Sequence, residues 1–249
     1  DAKGSGRVFT QNDIALVTGF GNILGALVKR QKLAEALKNE EYARAMLSKY
    51  HSPEIVELLI GEGVEKLKPR QCNATVLFAD ISKSTGLSSR IQPAEISKLL
   101  TTFYSSCAEI IKKYKGHINK FIGDCVFGVF NIPFDIASHE EMAVRAGLDI
   151  VTKTVSTIQK EHGIEIQLHV GINTGEVVAG NVGSDILQEY AVLGHSVNVA
   201  AKIAKSSTNA VLATEATVQG LPNTFITKYL NDFVDASGKN YKIYLVERC

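Results

Sequence analysis

Asn73-Ala-Thr-Val-Leu-Phe-Ala-Asp80-Ile81-Ser82-Lys83-Ser84-Thr85 and His117-Ile-Asn-Lys120-Phe-Ile-Gly123-Asp124-Cys-Val-Phe-Gly-Val-Phe130 are the two stretches on which the fold turns. Residues 75–79 are apolar and β-prone, so they read as a buried strand ending at Asp80. Phe121-Ile122 and residues 126–130 read as two arms of a hairpin with Gly123-Asp124 at its tip. Between the two stretches, residues 93–115 read as a helix. Pro93 suits its first turn, and Ile96, Leu99, Leu100, Phe103, Ile110 and Ile111 form an apolar stripe. A second helix over residues 138–162 and a strand over residues 165–171 follow.

The order strand, helix, hairpin, helix, strand is βαββαβ, the ferredoxin-like split βαβ of an α+β protein. Its first and third strands are antiparallel neighbours. Asp80 and Asp124, 44 positions apart, are therefore expected to meet at one sheet edge. Two carboxylates brought together repel unless a cation lies between them. Mg²⁺ takes few protein carboxylates together with substrate phosphate oxygens, so a two-metal phosphoryl-transfer site is the natural reading. The alternative is a strand-capping Asp80 and an ordinary turn residue at Asp124. Residues 81–85 (Ile81, Ser82, Lys83, Ser84, Thr85) form a small-residue turn whose backbone N–H groups suit a phosphate, or serve only as a strand-to-helix loop.

These residues resemble the class III adenylate/guanylate cyclase catalytic domain. Phe78-Ala-Asp80-Ile81…Thr85 and Lys120-Phe-Ile-Gly-Asp124 match two of its blocks. Gly171-Ile-Asn-Thr-Gly175-Glu…Gly180 and Gly194-His-Ser-Val-Asn198-Val-Ala-Ala-Lys202 match two more, in order, over residues 69–247. The resemblance implies a lyase that closes ATP to 3′,5′-cyclic AMP and pyrophosphate. It assigns Asp80, Ile81 and Asp124 to two Mg²⁺ (or Mn²⁺) ions per site, and Lys120 to adenine N1. It assigns Asn198 to the ribose and Lys202 to charge on the α-phosphate. It also implies a homodimer whose sites lie between the chains, in a cytoplasmic signalling protein with an upstream sensor domain.

Three positions depart from the family pattern. Ala191 stands where a second base reader, Asp or Thr, is usual. His169 stands where Arg often meets the distal phosphates, and Lys202 where Arg is usual. Lys keeps the charge but lacks the planar fork. The alternatives are a guanylate cyclase, or a weakened cyclase-like domain that binds nucleotide or mediates dimerisation. A diguanylate cyclase is disfavoured, because no Gly-Gly-Asp/Glu-Glu-Phe signature is present.

The remainder bounds the setting. Of 249 residues, 45% are hydrophobic, enough for one sizeable domain and an appendage. A net charge of +1 gives no electrostatic case for nucleic acid. Cys72, Cys107, Cys125 and Cys249 have no paired spacing, so neither a disulfide framework nor a zinc site is indicated. The chain reads as a fragment of a longer protein, with residues 1–6 an artificial scar. Residues 14–28 carry no charge, but 15 residues containing Thr18, Asn22 and glycines are too short to span a membrane. Residues 1–40 read as a signalling helix. Thr10 or Asn12 caps it, and Leu16, Phe20, Ile23, Leu27, Ala34 and Leu37 form a coiled-coil-like seam that resembles the end of a GAF domain. Residues 41–68 read as a transducing connector, with Ser52 as a cap and Pro53 opening a short helix. Residues 69–249 form the catalytic domain. Late strands are expected over 209–213, 225–230 and 241–246, with a helical turn over 214–220.

Overall fold

The computed structural model describes residues 10–48, 51–61, 67–82 and 91–249. Contacts divide the chain into Asp1–His51 and Ser52–Cys249. The first unit holds α1 (Gln11–Leu47), which runs unbroken past residue 40 and buries none of its residues. Thr10 is its cap: the hydroxyl accepts from the Asp13 amide at 3.3 Å, and the Thr10 amide donates to the Asp13 carboxylate at 2.9 Å. Among the described residues no helix is long and apolar enough to cross a membrane.

The second unit opens with α2 (Pro53–Gly61), whose Ile55, Val56 and Leu58 are buried. Pro53 is at the first helical position as expected, but Ser52 does not cap through its side chain. Its carbonyl takes the Ile55 and Val56 amides, and its buried hydroxyl has no partner among the described residues. Then follow β1 (Arg70–Ile81), α3 (Pro93–Lys113), β2 (His117–Ile122), β3 (Cys125–Phe130) and α4 (His139–Asp149). A π turn (Ile150–Thr154) leads to α5 (Val155–His162), β4 (Leu168–Gly183), β5 (Gln188–Leu193) and α6 (His195–Ala204). The chain ends with β6 (Ala210–Thr214), α7 (Glu215–Val218), β7 (Phe225–Val234) and β8 (Asn240–Arg248).

The sheet order is β2-β3-β1-β4-β6-β8-β7, with β5 paired to β4. Its first four strands are the ferredoxin-like core, and β1 is antiparallel to both neighbours. Alternation along β1 fills two cores. Leu77, Ala79 and Ile81 pack with Leu99, Phe103, Cys107 and Ile111 of α3. Ala74, Val76 and Phe78 pack with Ile55 and Leu58 of α2 and Ala200 and Ala204 of α6.

Two expectations need correction. The last core strand is not residues 165–171; β4 continues to Gly183 and carries β5, which the sequence reading missed. The helix over 138–162 is broken by the π turn. That wider turn keeps two buried polar residues five positions apart, Asp149 and Thr154, facing inward. Thr154 shares a 2.8 Å hydrogen bond with Ser106.

Asp149 ties α3, α4 and the C-terminal strand together. Burial alone would raise its carboxyl, but hydrogen bonds from Lys153, Arg248, Tyr114 and Lys113 hold it well below the usual range. A depressed carboxylate stabilises the fold above its unfolded value of 3.8, and that share is lost as pH falls below it. Asp149→Asn is therefore expected to cost about 2–3 kcal/mol at neutral pH. It should also flatten the loss of stability below pH 3.8, as read by urea melts across pH.

Candidate active site

The centre of the site is the end of β1. Asp80 faces Cys125 in the β1–β3 ladder and His169 in the β1–β4 ladder. Asp124 occupies the two-residue turn between Ile122 and Cys125. Gly123 enters that turn at φ 61°, a backbone state open to glycine and strained for most other residues. The Ile81 amide donates to the Asp124 carbonyl at 3.3 Å, so strand end and hairpin tip are joined. The two carboxylates thus converge as the topology requires. The meeting place is the end of central strands rather than an outer edge of the sheet.

Tyr104 of α3 braces the tip from behind. Its hydroxyl donates to the Gly123 carbonyl, and its ring stacks on Phe121 with centroids 4.4 Å apart. Burial, then the charge of Asp124, pushes Asp80 above the usual carboxylate range, against His169 and Lys205. A raised carboxyl beside a second carboxylate is the donor chemistry that a divalent cation relieves, so Asp80 and Asp124 fit such an ion. Burial and the same two charges push the Cys125 thiol up to about 12, which makes it a small protonated core residue and not a nucleophile.

Two of the amides expected to cradle phosphate are already engaged. Ile81 donates to Asp124, and Ser82 donates to the Gln167 carbonyl at 2.8 Å. Any cradle on residues 81–85 would therefore rest on Lys83, Ser84 and Thr85, which lie outside the described residues. His169 donates from Nδ1 to the Ser207 carbonyl, which leaves Nε2 as its acceptor when neutral. Lys205, at the C-terminal end of α6, also acts on Asp80. The sequence reading passed over it; its one local signal is its place three residues after Lys202.

Asn198 and Lys202 lie one turn apart on the exposed face of α6, while Val199, Ala200, Ile203 and Ala204 are buried. Glycine seats this helix. A Cβ on Gly171 would come 2.4 Å from the Ala204 nitrogen and 2.5 Å from the Ala200 oxygen. Asn173 donates to the Ser196 carbonyl at 2.9 Å, and His195 Nε2 lies 2.5 Å from Asp235, fixing the first turn. Among the described residues no hydrogen bond or ion pair joins Asn198 or Lys202 to the Asp pair. Lys120 instead meets Glu189 of β5 at 2.8 Å, and Ala191 is 5% exposed.

The profile of the adenylate and guanylate cyclase catalytic domain matches residues 67–248. The chain belongs to that family. An uncharacterized protein of Mycobacterium tuberculosis is 30% identical over 242 residues, 94% of this chain and 42% of its own length. The chain thus spans about two fifths of the curated relatives that it matches. Among solved structures, the adenylyl cyclase CyaB from P. aeruginosa is 26% identical with a TM-score of 0.68, covering 74% of this chain and 97% of that chain. A guanylate cyclase domain from Catenaria anguillulae, solved with GTP, is 25% identical with a TM-score of 0.67, over 72% and 98%. The structural neighbours thus include both adenylyl and guanylyl cyclases.

Proposed function

We propose that this domain converts ATP to 3′,5′-cyclic AMP and pyrophosphate. The observation that carries the reading is the convergence of Asp80 and Asp124 at the end of β1, joined through the Ile81 amide. In the reaction the ribose O3′ forms a bond to the α-phosphorus, the bond to the bridging oxygen of the β-phosphate breaks, and the hydroxyl proton is lost. Asp80, Ile81 through its backbone, and Asp124 would hold two Mg²⁺ or Mn²⁺ ions. Bound, these would neutralise triphosphate charge and favour ionisation of the attacking hydroxyl. Lys120 donates to adenine N1, Asn198 orients the ribose and Lys202 offsets charge growing on the α-phosphate. His169 lies beside Asp80 and serves the distal phosphates.

The active form is a homodimer with the Asp pair from one chain and the α6 residues from the other. This is consistent with Asn198 and Lys202 standing exposed and unpaired among the described residues. Residues 1–40 pass a signal from an upstream sensor domain, residues 41–68 transmit it, and the protein works in the cytoplasm. A second reading, a nucleotide-binding domain with weak turnover, is favoured by Lys202, which lacks the fork that two equatorial oxygens would engage.

Equal ATP and GTP supplied with Mn²⁺ test the base assignment. Cyclic AMP is expected to exceed cyclic GMP several-fold, since a site with few polar readers discriminates only modestly. Cyclic GMP equal to or above cyclic AMP overturns the assignment.

A further inference from the structure

Adenine presents N1 as an acceptor and the 6-amino group as a donor side by side, so reading that edge takes an adjacent donor and acceptor. Lys120 supplies the donor. Ala191, the usual place of the acceptor, offers only a methyl group. The structure holds an acceptor two residues upstream. Glu189 opposes Val182 and Ala191 opposes Gly180 in the β4–β5 ladder, so both lie on the same face of β5. The Glu189 carboxylate is 2.8 Å from Lys120 Nζ, with the side chains 56% and 33% exposed. Asn119 Nδ2 donates to the Tyr190 carbonyl at 3.3 Å, tying β2 to β5 between the two charged residues.

We propose that Glu189 is the second base-reading residue, accepting from the adenine 6-amino group while Lys120 donates to N1. The proposal rests on the reading of the domain as taking a purine nucleoside triphosphate. A carboxylate has about four acceptor positions, so one bond from Lys120 leaves room for the base. An exposed pair of this kind contributes little to folding, so its removal leaves the fold intact. Guanine reverses the two roles, with O6 as acceptor and N1–H as donor, so a comparison with GTP alters both contacts at once. The informative comparison is therefore ATP against purine riboside triphosphate, which lacks the 6-amino group.

Two readouts are taken with Mn²⁺. One is kcat/KM for cyclisation of each nucleotide. The other is equilibrium dialysis of their 3′-deoxy forms, which cannot cyclise. The unmodified chain is expected to favour the adenine form by roughly ten- to a hundredfold in both. Glu189→Ala should bring the ratio near one by weakening only the adenine form, and Glu189→Gln should keep part of it. An equal loss for both nucleotides would show that Glu189 merely positions Lys120, and a ratio of one in the unmodified chain would show that the amino group is not read. Either result overturns the proposal, as does absence of binding. If dialysis gives the expected ratios while no nucleotide is cyclised, the cyclase reading fails and the base reader stands.

Discussion

Asp80→Asn and Asp124→Asn are each expected to cut cyclic-nucleotide formation by about two to three orders of magnitude, a loss of roughly 3–4 kcal/mol of transition-state stabilisation. Each change removes one charge from the pair that would hold the divalent cations and keeps nearly the same shape. Folding should not suffer. The Asp80 carboxyl sits above its ordinary range through burial and the Asp124 charge, so either substitution relieves a repulsion in the empty site. Tm without divalent cation should be equal or slightly higher. The unmodified chain should gain Tm on adding Mn²⁺, and the variants should lose that gain. Turnover near that of the unmodified chain, or an unchanged Mn²⁺ effect, would contradict the assignment of these carboxylates.

The second large effect is recovery by mixing. Asp80→Ala homodimers lack the cation-holding carboxylate in both sites, and Asn198→Ala homodimers lack the ribose contact in both. In a mixed dimer with sites shared between chains, one site carries both defects and the other carries neither. Random re-pairing makes about half of the dimers mixed, each with one good site, so activity should return to roughly a quarter of that of the unmodified protein. A mixture as inactive as its parts, with exchange confirmed by mass, would place the whole site within one chain.

The parts of this fold that were legible in the sequence are those that local chemistry dictates. The all-apolar run of β1 marks a strand buried on both faces, and Gly123-Asp124 marks the hairpin turn. Pro93 with its stripe marks α3, and all but Ile96 and Leu100 of that stripe is buried. Together they suffice for βαββαβ, and the topology then brings Asp80 to Asp124. The run of β4 from Gly171 onward stayed hidden because Gly171, Asn173, Gly175, Gly180 and Asn181 interrupt any period-two pattern. Those residues answer to tertiary needs: Gly171 admits α6, and Asn173 holds its first turn.

The site was legible only in part for a related reason. Glu189 is a charged surface residue with no local mark, and Lys205 has only its place three residues after Lys202. Their significance comes from where α6 ends and where β5 returns, 69 positions after Lys120 in the case of Glu189. Conversely, residues 81–85 look locally like a phosphate-binding turn, yet the Ile81 and Ser82 amides are taken by Asp124 and Gln167. Segments brought in by distant strands decide which backbone donors remain available.

The most direct test of the account is product identity. The unmodified chain is incubated with ATP and Mn²⁺, and the products are separated by chromatography. 3′,5′-Cyclic AMP and pyrophosphate are expected in equal amounts, and neither with Asp80→Asn; ADP and inorganic phosphate, or no product at all, would rule out the cyclase reaction.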